Sequence, residues 1–154
     1  MRRTAAALAA ATLVLAAGCR GSRGGSAVQG DIAVSHAVVP VPPSRTEASA
    51  FMVIENTGDA ALTLVEATSP DADSVGLHHD IGGQMQSVRQ IDLPAGSRTR
   101  LVPGGFHLML EGLTRPLALG DTVTLHLTFA PSGAVTIRAP LLTYTDAISD
   151  LPMH

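Results

Sequence analysis

Downstream of residue 30 the chain is cut into short apolar segments by turn chemistry, and that punctuation leaves room for little but strands. The cuts fall at Asn56-Thr57-Gly58-Asp59, Gly82-Gly83, Pro94-Ala95-Gly96, Pro103-Gly104-Gly105 and Pro131-Ser132-Gly133. Glycine there supplies positive φ, proline a fixed φ, and Asn or Asp a local side-chain bond. Between the cuts, segments rich in Val, Thr, Leu and Ile predict strands at residues 32–39, 48–56, 61–68, 74–79, 84–91, 98–102, 107–113, 122–129 and 135–139. Val123-Thr124-Leu125-His126-Leu127 alternates cleanly. Beyond the first residues no stretch has the period of an amphipathic helix. Many short strands at this spacing predict an all-β domain, a Greek-key β-barrel or sandwich.

The two ends read differently. Met1-Arg2-Arg3 followed by the apolar run from Ala5 to Ala17 has the form of an export signal, too short to span a bilayer as a mature helix. It stops at Ala16-Ala17-Gly18-Cys19, small residues before a cysteine, which resembles the lipobox of bacterial lipoproteins. Residues 1–18 are thus expected to be a signal peptide, Cys19 the lipidation site, and residues 19–30 the lipidated cysteine and a flexible Gly/Ser/Arg tether. The protein would be exported and held by lipid on the outer face of the cytoplasmic membrane. Residues 31–145 form the β domain, and the polar tail 146–154 is expected to be disordered or loosely docked.

Cys19 is the only cysteine. The folded part therefore has no disulfide and no thiolate for a blue-copper electron-transfer centre. Removal of the leader leaves 136 residues, enough for one core, carrying eight Arg, no Lys and thirteen Asp and Glu. A net charge of about −5 with no basic cluster excludes a nucleic-acid surface.

One set of side chains carries chemistry: His78, Met85, His107 and Met109. His107 and Met109 are two apart, so a strand directs both to one face. His78, His79 and Met85 straddle Gly82-Gly83. A two-residue turn there pairs Asp80 with Met85 and sets His78 diagonally on the same face. A three-residue turn selects His79 instead. Thioether sulfur combined with imidazole selects Cu(I) over Zn, Mg or Ca. The bland readings are that Met52 fills a core gap, that His36, His126 and His154 are surface or satisfied histidines, and that Asp71, Asp73 and Asp80 are solvated turn charges without calcium-loop spacing. Met153-His154 would be a second, weak copper contact.

Met85, then 21 residues, then His107-Leu108-Met109 within Pro103-Gly104-Gly105-Phe106-His107-Leu108-Met109 resembles the signature of the PCuAC-type periplasmic copper chaperones. The flanking Ile91-Asp92-Leu93-Pro94-Ala95-Gly96 and Phe51-Met52-Val53-Ile54-Glu55-Asn56-Thr57-Gly58 are similar as well, so the resemblance covers about residues 31–140. It implies a cupredoxin-like β-barrel, not an enzyme, that holds one Cu(I) per chain at an exposed rim. It also implies delivery to the binuclear copper centre of cytochrome c oxidase, through its copper subunit or a Sco-like protein. The family usually spaces its first His ten residues before the Met, whereas six separate His78 from Met85. The fourth ligand is thereby left open between His78, His79 and neither. The competing readings are a metal-independent, lipid-anchored β-sandwich binding module and, more distantly, a zinc hydrolase built on His78, His79 and His107.

Overall fold

The computed structural model describes residues 23–131 and 133–153. In chain order they form β1 (Gly25–Gln29), β2 (Ile32–Pro40), β3 (Glu47–Asn56), β4 (Leu62–Thr68), β5 (Ala72–Ile81), β6 (Gln84–Ser87), β7 (Ile91–Leu93), β8 (Arg98–Leu101), β9 (Phe106–Leu113), β10 (Thr122–Ala130), β11 (Ala134–Leu142) and α1 (Tyr144–Asp150). Hydrogen bonding runs β5-β9-β8-β3-β2-β11-β10-β4, and the pairing of Ala67 on β4 with Val75 on β5 closes the ring. The result is a mixed β-barrel: the alternation predicts the all-β architecture, and the cupredoxin-like form is the one the resemblance implies. Two pairs, β11 with β2 and β8 with β9, are parallel.

The alternating apolar residues meet inside. Met52, Ile54, Leu64, Leu101, Leu108, Leu110, Leu125, Leu127, Ile137 and Leu141 are fully buried. Burying each such side chain contributes roughly 1.5–3 kcal/mol relative to exposure. Met52 is thus core, as its place in the alternation predicts. Because Leu108 and Leu110 point inward, His107 and Met109 between and beside them point outward.

Three expectations need correction. The tether ends sooner than residue 30. Gly25–Gln29 pair with β2, with Ala27 opposite Val34 and Gln29 opposite Ile32. Gly25, Ser26 and Gln29 have poor intrinsic β-propensity, so the backbone ladder of β2 and the packing of Ala27 on the core recruit the strand. The tail is neither loose nor irregular. Thr143 caps α1, its hydroxyl oxygen accepting from the Asp146 N–H at 3.1 Å, and Leu151 ends it. Seven residues are too few for helical period to be read, and a helix so short persists only through packing. Ala147 and Leu151 supply that packing by burying against Val38 and Phe51 on the outside of the barrel. The strand expected over residues 84–91 is two, because β6 pairs with β5 and β7 pairs with β4 on another part of the sheet.

The ends of the described chain are tied together. Asp150 accepts from the backbone N–H of Arg23 (2.7 Å) and of Gly24 (3.0 Å), and its Oδ2 lies 3.3 Å from His36 Nδ1. Arg23 also pairs with Asp146 at 2.5 Å. His36 sits at φ 54°, where β2 bulges between Ser35 and Val38. It is therefore half-buried and engaged, a satisfied histidine as the sequence reading allowed.

Candidate metal centre

The hairpin β5–β6 is built on the tightest turn the sequence allows. Gly82 and Gly83 both take positive φ (62° and 80°), the pattern of a primed hairpin turn that side chains resist. Asp80 then pairs with Met85, and the Asp80 carboxylate accepts from Gly83 N–H at 2.9 Å. On its other edge β5 pairs with β9, setting His78 opposite His107 and Gly76 opposite Met109. Strand parity therefore gives one outward face to Gly76, His78, Met85, His107 and Met109. His79 is on the opposite face, stacked on Phe106 with centroids 4.1 Å apart.

The two imidazoles meet edge to face, with centroids 5.8 Å apart. Pro103-Gly104-Gly105 turns the chain back so that the Gly105 carbonyl lies 3.1 Å from His107 Nδ1. A carbonyl only accepts, so Nδ1 carries the proton and donates. Nε2 is left as the free lone pair, the arrangement that orients a metal-ligating histidine. Phe51 lies against the same ring at 6.3 Å. His78 Nδ1 is buried and has no hydrogen-bond partner among the described residues. The hydroxyl of Ser49, opposite Met109 on β3, donates to Met109 Sδ at 4.0 Å.

Exposure differs sharply along the set. His107 is 6 % exposed and Met109 9 %, whereas Met85 on the barrel-edge hairpin is 54 % exposed. The resemblance implied an open rim. Instead, the His107–Met109 pair is covered, with the Phe51 ring against His107. Met109 also lines a groove of about 260 Å³ with Pro40, Val41, Phe51 and Tyr144.

The remaining singled-out residues lie elsewhere. His126 is exposed and bonds Thr136 at 2.9 Å. Asp71 accepts from Thr124 N–H at 3.0 Å and pairs with Arg115. Met153 is exposed, and Cys19 and His154 lie outside the described residues. Among the described residues no three His, Cys, Asp or Glu side chains gather as a metal-holding group, so a metal on this face would have to take sulfur ligands. Sequence reading missed Phe51, Ser49 and Gly76. Their signal is the pairing of β3 and β5 with β9, which no local pattern reveals.

Fold and site together define a cupredoxin-like domain of the PCuAC type. The chain superposes on the copper-bound PCuAC domain from PmoF2 (28 % identity, TM-score 0.67, 77 % of this chain and 97 % of that one). It also matches the apo PCuAC domain from PmoF1 (25 %, 0.68, 77 % and 98 %) and the Cu(I) form of DR1885 from Deinococcus radiodurans (30 %, 0.61, 72 % and 77 %). Residues 32–141 match the family described as "Putative lipoprotein LpqE-like", and the chain belongs to that family. It is 35 % identical over 104 residues to "Putative lipoprotein Lxx21020" of Leifsonia xyli subsp. xyli, a match covering 64 % of this chain and 63 % of that protein's length. It is an exported, lipid-anchored protein of a non-catalytic class.

Proposed function

We propose that the protein is an extracytoplasmic Cu(I) carrier, a metallochaperone whose cargo is held by His78, His107 and Met109 with Met85 as the outer ligand. The observation that carries this reading is the shared outward face on which two imidazoles and two thioethers project from β5, β6 and β9. Neutral His and Met suit Cu(I) and discriminate against hard cations. They also serve in an oxidising compartment, where thiolates are lost to disulfide or sulfenate. Support comes from similar domains whose solved structures carry copper.

The gradient of exposure suggests how cargo would move. Met109 and His107 are fixed by packing and by hydrogen bonds from or to Ser49 and Gly105. Met85 stands on a two-stranded hairpin held to the barrel by β5 alone. An incoming ligand would displace Met85 first, leaving a lower-coordinate copper on the covered ligands. The recipient we propose is the binuclear copper centre of cytochrome c oxidase, reached through its copper subunit or a Sco-like protein. Lipid on Cys19 would keep the carrier at the membrane that holds this target.

The test is an anaerobic Cu(I) competition titration of residues 20–154. One equivalent bound tightly, weakened by Met109→Leu and His78→Ala but not by His79→Ala, is the expected result. Binding no stronger than that of an unrelated β domain would overturn the copper reading and favour a metal-independent binding module. Transfer is tested by mixing the Cu(I)-loaded protein with the apo oxidase copper domain and following the absorbance of the assembled centre.

A further inference from the structure

We infer that Gly76 is a positioning residue for the copper ligand His78. The inference rests on the carrier reading above and deepens it. Gly76 lies two residues before His78 on β5, on the same outward face, and is the direct sheet partner of Met109. A Cβ placed on Gly76 would lie 2.9 Å from His78 Nε2, 3.3 Å from Cδ2 and 3.8 Å from Cε1. The three nearest atoms are thus all of one ring. The imidazole lies down across the bare backbone of residue 76, the sheet partner of Met109, and does not stand away from the sheet.

Nothing else about this position asks for glycine. Gly76 is not among the residues of positive φ, so its backbone is ordinary strand that alanine adopts without strain. Glycine inside a strand weakens it and often marks a site where another group approaches closely. Here the approaching group is the ligand ring. Ser49 is the small residue opposite Met109 on its other side, so the thioether is flanked by two positions that leave it room.

Stability and affinity are therefore separable at one residue. An added methyl meets only the tip of a rotatable side chain, which swings away at little cost to the fold. The same swing carries the His78 nitrogen away from Met109 and His107. Gly76→Ala should leave the melting temperature unchanged or raised, since it removes unfolded-state freedom. It should weaken Cu(I) binding by about 10- to 100-fold, the usual range for losing a group that orients a ligand. Gly76→Val should weaken it further.

The experiment is Cu(I) competition and thermal melting on residues 20–154 as wild type, Gly76→Ala, Gly76→Val, His78→Ala and the Gly76→Ala/His78→Ala double variant. The expected result is a graded loss of affinity with no loss of stability, and no additional loss from Gly76→Ala once His78 is gone. Wild-type affinity in Gly76→Ala, or an equal loss with and without His78, would overturn the inference. Should the wild type bind no Cu(I), the carrier reading fails by itself. The positioning is then decided in the metal-free protein by NMR. Nuclear Overhauser contacts between the His78 ring and the Gly76 Hα protons, lost in Gly76→Ala, would uphold it, and their absence in the wild type would overturn it.

Discussion

On the proposed function, metal choice is a matter of single side chains. Leucine nearly matches methionine in volume but offers no sulfur lone pair, so Met109→Leu should cost less than about 1.5 kcal/mol of stability. The same change should lower Cu(I) affinity at least tenfold while leaving any weak Zn(II) binding unchanged, which parallel titrations with the two metals would reveal. Met85→Leu acts on a more exposed ligand. It should change equilibrium affinity less and speed copper loss to a competing chelator more, a difference read by stopped-flow transfer. At this scale His107 and Met109 were legible because alternation alone sets them on one face. Ser49 and Phe51 were not, since each matters through a neighbour more than 50 residues away in sequence, and Gly76 was not, since its role depends on how the His78 ring lies.

Among the elements, the β5–β6 hairpin decides which side chains share the site. β5 is pinned by β9, so His78 keeps its face whatever the turn does. β6 has only β5 to hold it. One residue inserted between Gly82 and Gly83 should therefore turn Met85 to the face of His79 and leave the barrel intact. The expected signature is a Cu(I) spectrum with one sulfur fewer by X-ray absorption and an unchanged melting temperature. The α1 helix works through packing. Thr143→Ala removes its cap and should cost about 0.5–2 kcal/mol. Leu151→Ala should cost about 2–5 kcal/mol and loosen the layer over Phe51, with amide exchange of β3 rising in step. This helix escaped the sequence reading because seven residues carry no measurable period, and its apolar side is defined by the surface it meets.

Over the whole molecule, the start and end of the described chain hold each other, and that clasp responds to acid. The Asp146 carboxyl is held below the usual carboxylate range by the Thr143 hydroxyl first and then by Arg23. A depressed folded value means that its stabilising contribution is present above the ordinary carboxylate pKa and is lost as pH falls through the lower folded one. The melting temperature of wild type should exceed that of Asp146→Asn at neutral pH. The gap should close on acidification below about pH 4. A gap that persists there would show that the contact does not act through charge. His78, Met85, His107 and Met109 take no part in this clasp.

By itself the sequence determined the class of fold and the ligand chemistry on which the copper proposal rests. Turn residues at short intervals force strands, alternation sorts inside from outside, and thioether with imidazole and no thiolate is a donor set suited to Cu(I). These are local or chemical properties, written in neighbouring letters. Only the tertiary structure decided that His78 rather than His79 shares a face with Met85, that His107 and Met109 are covered, and that residues 23–29 and 143–151 belong to the folded body. Each of those depends on which distant strand supplies the hydrogen-bond partner or the apolar surface. A glycine that is only a weak strand residue by propensity becomes, beside His78, the space that the imidazole occupies.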